Sequence, residues 1–100
     1  MIMHNPPHPG EFIQDVYLEP HQISARTVAK HLGVSPSTFN RILKKQSAVS
    51  PEMALRLSKV LGRSAESWLA MQDLYDLWQA KQSINLSDIQ PIDFSLSSQL

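Results

Sequence analysis

Four serines, Ser24, Ser35, Ser50 and Ser64, each stand just ahead of an apolar pattern of helical period. Two of them are followed directly by proline, Pro36 and Pro51, and Gly33 and Gly62 close two of the segments so opened. A serine hydroxyl satisfies a free N–H of a first helical turn, proline fits the first helical position, and glycine ends a helix in the left-handed conformation. This punctuation restricts the chain to short helices that must pack on one another, since helices of such length are marginal alone. It predicts an all-α fold of five helices. The first runs from Gly10 to about Leu18, with Phe12, Ile13, Val16 and Tyr17 inward and Pro20 stopping it. The second is capped by Ser24 and buries Val28, Ala29 and Leu32. The third runs from Ser35 to Lys44 or Lys45 on Phe39, Ile42 and Leu43. The fourth reaches Leu61 on Met53, Ala54 and Leu57, and the fifth spans Ala65 to about Lys81.

The fifth helix carries Trp68, Leu69, Met71, Leu74, Tyr75, Leu77 and Trp78, more apolar surface than one core-facing stripe requires. The surplus, Leu74, Leu77 and Trp78 in particular, is expected to meet another chain. Residues 1–81 therefore read as one helical domain and 82–100 as a tail. In the tail Ile92, Phe94 and Leu96 alternate with Asp93 and Ser95. That period of two predicts either one β-strand paired with a second chain or an unstructured segment, because a lone strand is not stable in water.

The net charge is zero, but its distribution is not even. From Ser24 to Arg63 there are eight bases (Arg26, Lys30, Arg41, Lys44, Lys45, Arg56, Lys59 and Arg63) against the single acid Glu52, a balance of +7. The rest of the chain holds Lys81 against eight acids, −7. A chain polarised in this way can turn one face to a polyanion. It contains no cysteine, which excludes disulfides and thiolate metal sites and suits a reducing cytoplasm. No apolar run approaches the ~18 residues of a membrane span, so no membrane role is expected.

Ala29, Gly33, Val34, Phe39 and Ile42 together predict a helix-turn-helix over about residues 24–45. Two helices crossing steeply through a short turn need a small residue at the contact, which Ala29 supplies. Gly33 allows the tight turn, Val34 fills the space beneath it, and Phe39 and Ile42 anchor the second helix. The opposite face then presents Ser35, Ser37, Thr38, Asn40, Arg41, Lys44 and Lys45, polar and basic without an acid, as suits a major groove. Arg41 is the candidate for guanine readout, with Ser35, Ser37 and Asn40 placed for bases or backbone. Lys44, Lys45, Arg26 and Lys30 are placed for phosphates; Lys59 and Arg63 are expected to be ordinary solvated side chains. No phosphate loop, metal-ligand spacing or nucleophile with an acid–base partner is present, so neither an enzyme nor a cofactor is expected. His4 and His8 are placed in a Pro-rich surface loop, His21 in a loop, and Asp73 and Asp76 on a polar helix edge without catalytic company.

With these residues identified, the chain resembles the HigA-type antitoxins of the lambda-repressor-like (XRE) helix-turn-helix superfamily. The resemblance rests on His8-Pro-Gly-Glu11, Leu18-Glu-Pro20, Val28-Ala-Lys-His-Leu-Gly-Val-Ser35, Ser37-Thr38, Arg41-Ile-Leu43, Met53-Ala-Leu-Arg-Leu57, Trp68-Leu69 and Tyr75-Asp-Leu-Trp78. It implies a dimer that binds a palindromic operator in double-stranded DNA and represses its own operon. It further implies a protein that neutralises a HigB-like mRNA-cleaving ribonuclease. Mapped onto this chain, the residues nearest the bases are Ser35, Pro36, Ser37 and Arg41, with Thr38 at the phosphates. Ala25 departs from the glutamine frequent in the family, and Lys44-Lys45 departs from its usual Asn-Gly after the recognition helix. Two other readings remain open at this point: a stand-alone XRE-type repressor, and a protein-interaction module that has lost DNA binding.

Overall fold

The computed structural model describes residues 5–97, which are built of helices and contain no strand. The chain enters through α1 (Pro9–Ile13), which passes unbroken into a π-helical turn (Gln14–Leu18) and then α2 (Glu19–His21). Pro20, expected to stop the first helix, therefore lies inside it. The π turn explains how: the Glu19 N–H reaches back five residues to the Gln14 carbonyl. This widens the coil just ahead of a ring that would otherwise collide with the carbonyl four residues back. It also resets the buried face. Ile13 and Leu18, five apart, are buried, whereas Val16, expected inside, is 41% exposed.

Four further helices follow: α3 (Ala25–Leu32), α4 (Pro36–Leu43), α5 (Pro51–Val60) and α6 (Ala65–Ser83). All four begin as the sequence predicts. The hydroxyls of Ser24, Ser35, Ser50 and Ser64 accept from the N–H groups of Thr27, Thr38, Met53 and Ser67 at 3.0–3.2 Å. Their inner faces make one core with α1, in which Ile13, Ala29, Phe39, Ala54, Leu57 and Trp68 are wholly buried. Trp68 donates its indole N–H to the Gly62 carbonyl at 2.9 Å, so its polar atom is satisfied.

Two glycines decide how closely the helices approach α4. Gly33 ends α3 at φ +75°, and the N–H groups of Gly33 and Val34 return to the carbonyls of Lys30 and Ala29, both at 3.1 Å. The remaining Leu32 carbonyl is taken by the Arg56 guanidinium at 2.7 Å. Gly10 lies against the other end of α4, where a Cβ would fall within 3 Å of the Ile42 carbonyl and the Leu43 Cα. Only a residue without a side chain lets the start of α1 rest on that backbone.

After Ser83 the chain is irregular up to α7 (Phe94–Ser97), a single helical turn. Of the two forms expected of the Ile92, Phe94 and Leu96 segment, the strand is absent from the described residues. The segment instead winds up locally: the Asp93 carboxylate accepts from the Ser95 N–H at 3.0 Å and from its hydroxyl at 2.6 Å. The Leu96 side chain lies outside the described residues.

Replacing Gly10 by alanine is expected to force α1 off α4 and to cost about 1–3 kcal/mol, read as a fall in the thermal midpoint. An unchanged midpoint would mean that the two backbones do not touch.

Candidate nucleic-acid interface

An isolated eight-residue helix would not hold its shape in water, so α4 owes its orientation to Phe39 and Ile42, buried at 0% and 3% exposure. Ser37, Arg41 and Lys44, spaced by four and three residues, share the outward face, and all three are exposed. Pro36 is exposed as well, while Thr38 and Asn40 are half-buried at the flanks. Ser35 is committed to the cap: its oxygen takes the Thr38 N–H at 3.2 Å and its hydroxyl donates to Thr38 Oγ1 at 2.9 Å. With Ser37 Oγ a further 3.2 Å away, a small hydroxyl cluster marks the helix start. Ser35 and Thr38 thus shape the end of the helix that points outward.

The far end of α4 carries the family departure. Lys45 adopts φ +64°, the left-handed conformation that Asn-Gly would take more comfortably. The Arg41 carbonyl there receives the N–H groups of Gln46 and Ser47 at 2.8 and 3.1 Å. Lys44 and Lys45 remain exposed, as do Arg26 and Lys30 on α3. Two other members of the basic set serve the fold. Arg56 holds the end of α3, and Arg63 lies over the rings of Phe12 and Trp68, 5.0 and 5.7 Å from their centroids. Lys59 is exposed.

His8, expected in a surface loop, is instead buried at 2% exposure. It caps α1, its Nδ1 accepting the Gly10 N–H at 2.9 Å, and its ring meets Tyr75 edge-on at 4.9 Å. Burial holds its pKa below the ordinary histidine value, against the opposing pull of Asp76. Its place was hidden because histidine seldom caps a helix; Pro9 and Gly10 were the available sign that a helix starts after it. Gln72, also buried, was not singled out by its pattern at all. His4 lies outside the described residues. Among these, no group of three or more metal-ligating side chains comes together, and no helix is long and apolar enough to cross a membrane.

Residues 17–68, which hold the crossing of α3 and α4 and the whole basic wall, match the helix-turn-helix family. The chain belongs to that family. Virulence-associated protein I of Dichelobacter nodosus is 48% identical over 79% of this chain and 76% of its own. Antitoxin GraA superposes with a TM-score of 0.83 at 36% identity, over 90% of this chain and 99% of its own. Pseudomonas aeruginosa antitoxin HigA, solved with the higBA promoter, superposes with a TM-score of 0.77 at 34% identity over 88% and 99%. The structural neighbours of this helix-turn-helix protein are thus HigA- and GraA-type antitoxins, and the resemblance drawn from the sequence holds.

For Lys45 the left-handed conformation costs about 1–2 kcal/mol, and glycine would give back ~0.5–1 kcal/mol of that through its freer unfolded chain. Lys45→Gly should therefore leave the thermal midpoint unchanged or raised. A clear fall would mean that the lysine side chain, not the backbone, holds this loop.

Proposed function

We propose that this chain is the antitoxin of a type II toxin–antitoxin system. As a homodimer it binds operator DNA, represses its own operon and neutralises a HigB-like mRNA-cleaving ribonuclease. The observation that carries the DNA half is the outward face of α4. Arg41 and Ser37 are exposed on α4, as are Arg26 and Lys30 on α3 before it and Lys44 and Lys45 after it, with no acid among them. A guanidinium there can pair with guanine O6 and N7, while the lysines neutralise phosphates. The promoter-bound HigA neighbour supports the same reading. Soluble operator binding of this kind belongs in the cytoplasm and needs no small-molecule substrate.

The homodimer is supported by α6. Ala70, Leu74, Leu77, Lys81 and the following Ile84 recur at alternate spacings of four and three residues, the seam pattern of paired helices, and all are exposed. Leu74 and Leu77 are 49% and 54% exposed, and Trp78 beside them is half-buried. If two copies lie antiparallel about Leu77, Lys81 of each comes level with Asp73 of the other. Ile92 and Phe94, 69% and 73% exposed, add apolar surface for the second copy or the toxin. Such a dimer places its half-sites about 34–36 Å apart, or a multiple of that.

A stand-alone repressor is the second reading, favoured by the fact that the basic wall accounts for the α4 face without any toxin. Two measurements separate the readings. Arg41→Ala should weaken binding to the DNA upstream of the chain's own reading frame by about 1–3 kcal/mol; equal, negligible binding by wild type and variant would leave only an interaction module. Co-expressed with the adjacent reading frame, the chain should purify with its product and restore growth. Failure of that product to bind or to arrest growth would leave the repressor.

A further inference from the structure

Among the described residues two polar side chains are almost fully enclosed, His8 and Gln72, at 2% and 3% exposure. Enclosing such groups is costly unless their hydrogen bonds are made. Both face the same segment, the loop that leaves the recognition helix α4. The Ser47 backbone of that loop acts on the His8 ring. Gln72 Oε1 accepts the Val49 N–H at 2.9 Å, and its Nε2 donates to Asp76 Oδ1 at 2.9 Å. On its other side His8 accepts from Gly10, whose backbone rests on Ile42 and Leu43, and packs edge-on against Tyr75 of α6. The start of α1, the end of α4 and the middle of α6 therefore meet at one place, where the Val49–Gln72 hydrogen bond ties the loop to α6. Apolar packing alone would tolerate sliding there; hydrogen bonds do not.

We propose that His8 and Gln72 are positioning residues for DNA readout, clamping the loop after α4 to α6 and so setting the angle at which Arg41 is presented. This deepens, and rests on, the proposed operator-binding dimer. Gln72 and Tyr75 lie on the side of α6 away from Leu74 and Leu77. One rigid helix then carries the seam to the second copy on one side and the clamp to the recognition helix on the other.

The His8 cap on Gly10, which seats α1 on α4, needs a neutral imidazole, because a protonated Nδ1 would turn a proton toward the Gly10 N–H. The charged groups acting on His8 are Asp76 on α6, Lys45 in the clamped loop and Glu11 on α1, with the Tyr75 ring against it. Burial, aided by Lys45, outweighs the two carboxylates and the Ser47 backbone and holds the pKa below its ordinary value. Since the folded pKa lies below the unfolded one, the cap is complete above the ordinary value of 6.5 and is lost only as pH falls through the lower folded value.

The test uses the full chain, a duplex from upstream of its own reading frame and a shuffled duplex of equal length. Wild type, His8→Asn and Gln72→Met are compared from about pH 8 to about pH 5.5, at a temperature where circular dichroism reports each as folded. Asparagine can still cap Gly10 but neither meets the Tyr75 ring nor titrates; methionine keeps the volume of Gln72 without its amide. Both variants should lower the ratio of specific to shuffled affinity roughly tenfold at the higher pH, with shuffled binding little changed. The wild-type ratio should fall on acidification while that of His8→Asn stays flat. Variants that lose thermal stability yet keep the wild-type ratio and pH profile would overturn the clamp alone. A wild type that does not distinguish the duplexes at any pH would overturn the operator reading, and the clamp's role with it.

Discussion

Everything the outer face of α4 can do depends on the burial of Phe39 and Ile42 on its inner face. The helix has eight residues, too few to persist by its own hydrogen bonds. Its pose is borrowed from α3 at one end, through the Gly33 turn, and from α1 at the other, through Gly10. With the inner side chains gripped, Ser37, Arg41 and Lys44 have no direction left but outward. Stability and recognition are thus opposite faces of one short element.

The charge asymmetry of the chain works in the same economy of means. Of the eight bases between Ser24 and Arg63, Arg56 closes the end of α3 and Arg63 stacks on Phe12 and Trp68. Arg26, Lys30, Arg41, Lys44 and Lys45 remain exposed on α3, α4 and the loop beyond. A polyanion approaching this wall meets no competing carboxylate on α4, while the acids of α6 and the tail lie in other segments of the chain. A charge distribution of this kind draws a polyanion to this side of the chain at long range.

Most of the helical framework was legible because its signals are local. Ser24, Ser35, Ser50 and Ser64 cap the next turn within three residues, and Gly33 ends α3 by its own backbone freedom, so neither effect waits on distant contacts. The failures share a different cause. Pro20 was read as a stop because a proline rule assumes α-helical spacing, and a π turn changes the spacing. The tail was read from its alternation as either a strand or an unstructured segment, and the strand is absent because pairing needs a second strand and none of the described residues provides one. His8 was read as surface because a Pro-rich opening looks like a loop, although the cavity that encloses it is made by α4 and α6, far along the chain.

The amino-acid order by itself determined where each capped helix starts, which side chains form the core of α3 to α6, and that Arg41 shares a face with Ser37 and Lys44. Those properties follow from hydrogen bonds and periodicities spanning a few residues. Only the tertiary structure decided that Gly10 rests on the backbone of α4, that Arg56 completes α3, that His8 meets Tyr75 and that Gln72 holds the loop after α4. Each of these contacts joins groups remote in sequence, and which polar atoms face one another there is set by the packing angles of whole helices, which no local pattern encodes.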